Sequence, residues 1–167
     1  MENEKGFTGR QLACIAANHE CTALYFGGIK AADNLPAHIN SYPTFFIVNS
    51  DLAWQKGSHW LLLVFSSPRL SIYYDPLGKR PRQYSVHIER FLQQHSESHY
   101  LANTARYQPA CSCLCGLYCL MIADKICQGQ SFATALQSFR PQKLEANDEI
   151  VYEYYKNHLL KRPATRS

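Results

Sequence analysis

The sequence predicts an α+β fold, and three observations lead there. Strand-like apolar segments cluster in the middle of the chain, and segments of helical periodicity occupy both ends. The 167 residues are 46% hydrophobic and 18% charged, the balance of a globular chain large enough to bury its own core.

The elements follow in order. Thr8 is an N-cap residue type, and the segment GRQLACIAAN behind it places Leu12, Ile15 and Ala16 at helical spacing. ALYFGG then breaks into a loop at Gly27 and Gly28, which NLP continues. Three strands are expected at TFFIVN (44–49), HWLLLVF (59–65) and LSIYYD (70–75). The second is apolar nearly throughout, as a strand buried on both faces would be. YSVHIERFLQQH (84–95) reads as an amphipathic helix and YLANTARYQ (100–108) as a further strand. From Cys115, CGLYCLMIADKICQ reads as a helix closed by Gly129. Its first turns are apolar nearly all round, which places it inside the protein. Helices near 131–139 and 147–160 complete the chain. No repeat or linker divides it, so a single domain over 1–167 is expected, with 161–167 as a basic, flexible tail.

The net charge is a modest +4, with basic residues gathered in GKRPR (78–82) and KNHLLKRPATRS (156–167). These read either as solvated surface or as an electrostatic footprint for nucleic acid, and no nucleic-acid motif accompanies them. No apolar run reaches the roughly 18 residues of a membrane span. MENEKGFTGR carries no apolar signal core. The expectation is a chain neither secreted nor membrane-bound, living where thiols stay reduced.

Four of the seven cysteines fall within CSCLCGLYC, residues 111–119. An odd count leaves a full disulfide framework one partner short. Zinc sites use wider C-x₂₋₄-C pairs matched by a second ligand pair, and neither is present here. A nucleophile with bystanders remains. Such a cysteine needs activation, a base, a group to orient the base, and oxyanion donors. Cys115 stands where the buried helix begins, at the positive end of its dipole and beside unpaired N–H groups. Gly116 after it leaves room for a substrate backbone, and Cys119 one turn on is a small core residue. The role of Cys111 and Cys113, ahead of the helix, stays open.

Of seven histidines, His59 heads the buried strand. If 59–65 and 70–75 form a hairpin that joins Phe65 to Arg69, His59 falls opposite Asp75 on one face of the sheet. A slip of one residue would separate them. Asp75 precedes Pro76 and could hold the imidazole in one tautomer. It equally suits the first position of a DPLG turn, and His59 equally suits a satisfied core histidine. Gln108, seven residues before Cys115, could donate its amide N–H to an oxyanion, or be surface.

Taken together, His59-Trp60, then Asp-Pro-x-Gly sixteen residues after the histidine, then Gln108, then Cys-Gly-Leu-Tyr-Cys resemble the adenain-type cysteine proteases. These are adenovirus maturation proteases with relatives in Maverick/Polinton-type elements, and more distantly the SUMO-specific proteases. The N-terminal helix and YFGGIKAADNLP also look like the element-borne relatives. The resemblance implies a central mixed sheet flanked by helices, with papain-like geometry in the adenain/SUMO-protease chain order. It implies His59 as general base, Asp75 as its orienting carboxylate, Cys115 as nucleophile and Gln108 as oxyanion donor. Trp60 would narrow the site beside them. The implied activity is an endopeptidase cutting viral or viral-like capsid and precursor proteins at glycine-containing sites during particle maturation. The chain would act as a monomer in the virion and the host nucleus or cytoplasm. Adenain commonly has Glu where this chain has Asp75. The family also implies activation by DNA, here through GKRPR and the tail, or by a viral peptide. LQQHSESHYLANTARY (92–107) has no cysteine for a disulfide-linked peptide at the usual place. The rival functions are a protease that removes SUMO or ubiquitin after Gly-Gly, and a catalytically silent interaction module of the same fold.

Overall fold

The computed structural model describes residues 6–160. The basic tail at 161–167 lies outside the described residues, and so does the question of its flexibility. The fold is α+β: a five-stranded mixed sheet with helices on both faces.

The chain opens with α1 (Gly9–Asn18), whose N-cap Thr8 and N3 residue Gln11 close a reciprocal capping box. A short α2 (Glu20–Tyr25) follows and leads directly into β1 (Phe26–Ala31). The loop expected at Gly27 and Gly28 is therefore a strand. It pairs parallel to β2 (Thr44–Asn49), with a register shift between Phe26 and Gly28. The glycines allow the strand rather than break it. A Cβ on Gly27 would lie 2.4 Å from the Phe46 ring, and Gly28 adopts φ +123° at the irregularity.

β3 (Trp60–Ser67) and β4 (Leu70–Tyr74) continue the sheet as antiparallel neighbours. β3 is central, and Leu61, Leu62, Leu63 and Phe65 are all fully buried, as its unbroken apolar run predicts. One face of the sheet, with Phe45, Ile47, Leu62, Val64, Ile72 and Tyr74, packs on α4 (Cys115–Cys127). The other face, with Val48, Leu63 and Tyr73, packs on α3 (Val86–Gln94). Every residue of α4 from Cys115 to Asp124 is buried. The helix ends at Gly129, whose φ of +96° favours glycine.

Two expectations about the sheet need correction. The hairpin register joins Phe65 to Ser71 rather than to Arg69. The Ser67 side chain takes N–H bonds from Arg69 and Leu70, and an irregularity between Phe65 and Ser67 absorbs the difference. The offset is two residues, so the facing of every side chain is preserved. Only Leu101–Ala102 of the expected strand 100–108 joins the sheet, as β5, parallel to β4. Beyond it the Asn103 side chain takes over the pairing. Its Oδ1 accepts from the Asp75 N–H at 3.0 Å and its Nδ2 donates to the Asp75 carbonyl at 2.6 Å. The chain then leaves the sheet edge, and the Tyr107 and Gln108 N–H groups both donate to the Pro76 carbonyl. The C-terminal third forms α5 (Phe132–Leu136) and α6 (Leu144–Tyr154), continued by a wider turn over Tyr155–Leu159. No helix among the described residues is long and apolar enough to cross a membrane.

Candidate active site

At the end of the sheet, where β3 begins and β4 stops, the N-terminus of α4 closes a cleft of about 730 Å³. His59, Trp60, Tyr84, Gln108 and Cys115 line it, with Phe7 and Cys113.

His59 sits one residue ahead of β3, fixed by the Ser50 N–H donating to its carbonyl at 2.9 Å. Its Nε2 lies 2.7 Å from Asp75 Oδ1. With Nε2 given to the carboxylate, Nδ1 is the nitrogen left for Cys115, which lines the same cleft. In the observed register Asp75 is not directly across from His59, and the contact is diagonal.

Asp75 is fully buried and saturated with donors. Oδ1 takes His59 and the Leu77 N–H at 2.9 Å; Oδ2 takes the Lys79 N–H and the Tyr84 hydroxyl, both at 2.8 Å. The turn role and the orienting role are one arrangement. The carboxylate that folds DPLG by capping Leu77 and Lys79 is thereby fixed on the imidazole. Gly78 serves the same turn at φ +73°, where an added Cβ would lie 2.8 Å from the Ala105 carbonyl oxygen.

Burial pulls the His59 imidazole towards its neutral form. The hydrogen bonds to Asp75 and Cys115, and the negative charge of both, outweigh burial and raise it from 6.5 to about 9. The sign of the linkage follows. Between these values the folded protein holds a proton that the unfolded chain releases. The contribution to stability is therefore complete below about pH 6.5 and lost as pH rises through about 9. The urea midpoint of the wild type should fall across that window, and that of His59→Gln should fall less. Parallel curves would remove the charged pair from the account.

Gln108 is 2% exposed. Its Nε2 donates to the Ser112 carbonyl at 2.8 Å, and the Arg106 guanidinium holds its backbone carbonyl at 2.8 Å. An amide nitrogen carries two protons, so one N–H remains for a ligand. Its buried Oε1 has no partner among the described residues.

Trp60 donates its indole N–H to the Phe7 carbonyl at 3.0 Å, which ties the segment before α1 to the cleft wall. Gly116 does not line the cleft. A Cβ there would lie 2.7 Å from both methyl groups of Leu12, so the room it leaves is filled by α1 and not by a substrate. Cys119 is fully buried beneath the site, and burial pushes its thiol well up. Cys111 is exposed and Cys113 half-buried at the cleft.

Several structural residues escaped the sequence reading. The Tyr84 ring stacks on His59 with centroids 5.5 Å apart, while its hydroxyl holds Asp75. Ser112, between two cysteines, receives Gln108 on its carbonyl, and its hydroxyl donates to Asp148 at 2.9 Å. Asp148 also accepts from Tyr118 on α4 at 2.8 Å. An aromatic hydroxyl just ahead of a helix, and a serine inside the cysteine cluster, were the only signals available.

These features define a fold with a cysteine, a histidine and a carboxylate assembled at the end of a mixed sheet. The fold is similar to that of a viral cysteine protease. The ASFV pS273R protease superimposes with a TM-score of 0.55 at 16% identity, over 85% of this chain and 62% of that one. Its selenomethionine form gives a TM-score of 0.46 at 18% identity, over 71% and 45%. This chain thus spans less than two thirds of that protease's length. No protein-family model and no curated protein sequence matches the chain.

Proposed function

We propose that this protein is a cysteine endopeptidase of the adenain-like viral type. It cleaves capsid and precursor polypeptides of a virus or viral-like element at glycine-containing sites during particle maturation. The observation that carries the proposal is the single imidazole held by Asp75 on Nε2 in the cleft that Cys115 also lines. The fold shared with the ASFV pS273R protease supports the reading.

In this mechanism the Cys115 thiolate forms a bond to the scissile carbonyl carbon, and the carbonyl electron pair moves onto oxygen. The free N–H of Gln108 and the backbone N–H of Cys115, at the first position of α4, receive that charge. The His59 imidazolium gives its proton to the leaving amine as the C–N bond breaks. The neutral imidazole then takes a proton from water, which attacks the acyl-enzyme and releases Cys115. Asp75 holds one tautomer and balances the imidazolium charge. Trp60 walls the cleft. The protein acts as a monomer in the virion and the host nucleus or cytoplasm, and DNA bound along Arg80 and Arg82 of the GKRPR segment stimulates it.

The test offers glycine-containing capsid-type peptides beside folded SUMO and ubiquitin fusions, with and without DNA. Cleavage of the peptides that iodoacetamide abolishes is expected. Absence of any cleavage, or cleavage untouched by thiol alkylation, overturns the reading. Gln108→Ala should lower kcat by about 10²–10³ with KM little changed, the cost of one oxyanion donor. A change confined to KM would place Gln108 in substrate binding instead.

A further inference from the structure

We propose that the cleft selects peptides carrying an acidic side chain beside the scissile bond, with Lys56 and Lys79 as the recognising groups. The inference rests on the protease reading and adds a substrate class to it. Lys56 enters the cleft from the β2–β3 connection and Lys79 from the turn that follows Asp75. Both are exposed, and among the described residues neither forms an ion pair. Lys79 Nζ lies 5.7 Å from the Tyr84 ring centroid, so its ammonium stands over the ring that stacks on His59.

No carboxylate among the described residues lines the cleft to answer these two cations. Asp75, the carboxylate nearest the chemistry, is fully buried with both oxygens occupied. Asp148 is taken by Ser112 and Tyr118. A cleft lined by one sign of charge concentrates ligands of the other sign, most strongly at low salt. An extended peptide crossing the site passes both ammoniums, so a Glu near the scissile bond gains an ion pair and a Lys meets repulsion. The same two cations would be ordinary solvated groups if they lay outside the cleft or were paired with acids. Their place and their lack of partners decide otherwise.

The experiment uses three matched peptides with a central Gly-Gly flanked by Glu, Gln or Lys. Their cleavage is followed with the full-length protein, and their binding with the Cys115→Ala protein by fluorescence anisotropy. At low salt, kcat/KM should favour the Glu over the Lys peptide by about tenfold, and the gap should narrow as salt rises. Lys56→Glu/Lys79→Glu should invert the order in both assays. Equal binding and cleavage of the three peptides, or a preference unmoved by the double charge reversal, overturns the charge rule. Charge-ordered binding without any cleavage keeps the rule and overturns the protease reading. Cleavage without charge order does the reverse.

Discussion

Cys115→Ala should lose peptide hydrolysis by a factor on the order of 10⁴ or more while remaining folded. The expectation follows from position. Of the four cysteines in 111–119, Cys111 is exposed, Cys119 is sealed in the core, and Cys113 lines the cleft ahead of the helix, whereas Cys115 lines it at the first position of α4. Removing one sulfur from a small buried side chain costs about 1 kcal/mol of stability. Loss of activity would therefore not reflect loss of fold. Product formation by mass spectrometry, beside a thermal melt, reads both quantities. Retention of activity within about tenfold of wild type would assign the nucleophile elsewhere.

The second large effect is at Asp75. Asp75→Asn keeps the shape of the carboxylate but turns one acceptor into a donor. On the Oδ1 side the new N–H₂ would face the His59 nitrogen and the Leu77 N–H; on the Oδ2 side it would face the Lys79 N–H. The Tyr84 hydroxyl can rotate to accept, but a backbone N–H cannot. A buried donor is thus left unsatisfied on either side, at a cost of about 1–3 kcal/mol. The imidazole also loses the charge that fixes its tautomer, which in comparable triads costs about 10⁴ in kcat. A lowered melting temperature together with a collapse in kcat is expected. A variant that melts and cleaves like wild type would reduce Asp75 to a turn residue.

How much of this was legible in the sequence depended on how local each cause is. β2, β3, α1 and α4 announce themselves through periodicity, capping and a continuous apolar run, all carried within each segment. β1 did not, because Gly27 and Gly28 read as breakers, whereas the Phe46 ring from the next strand occupies the space a side chain would need. The β3–β4 register was missed by two residues, because the Ser67 side chain shapes the turn in a way strand alternation cannot reveal. The site survived that error, since an even offset leaves His59 and Asp75 on the same side.

The strand expected at 100–108 dissolves because Asn103 binds the Asp75 backbone, a partner 28 residues away. That departure from the sheet is also what carries Gln108 to the cleft. Tyr84, Ser112 and Asp148 were invisible for the same reason, since their roles depend on contacts between segments distant in the chain. The expected opening at Gly116 failed because the α1 contact was unknown.

The central claim is a charged Cys115–His59 pair held by Asp75. The most direct measurement is the rate of iodoacetamide alkylation at each cysteine against pH, located by mass spectrometry, for wild type and His59→Ala. Near neutral pH, Cys115 should react first among the seven thiols of the wild type and lose that lead in His59→Ala. A Cys115 no faster than exposed Cys14 and Cys111, or one equally fast without His59, would contradict it.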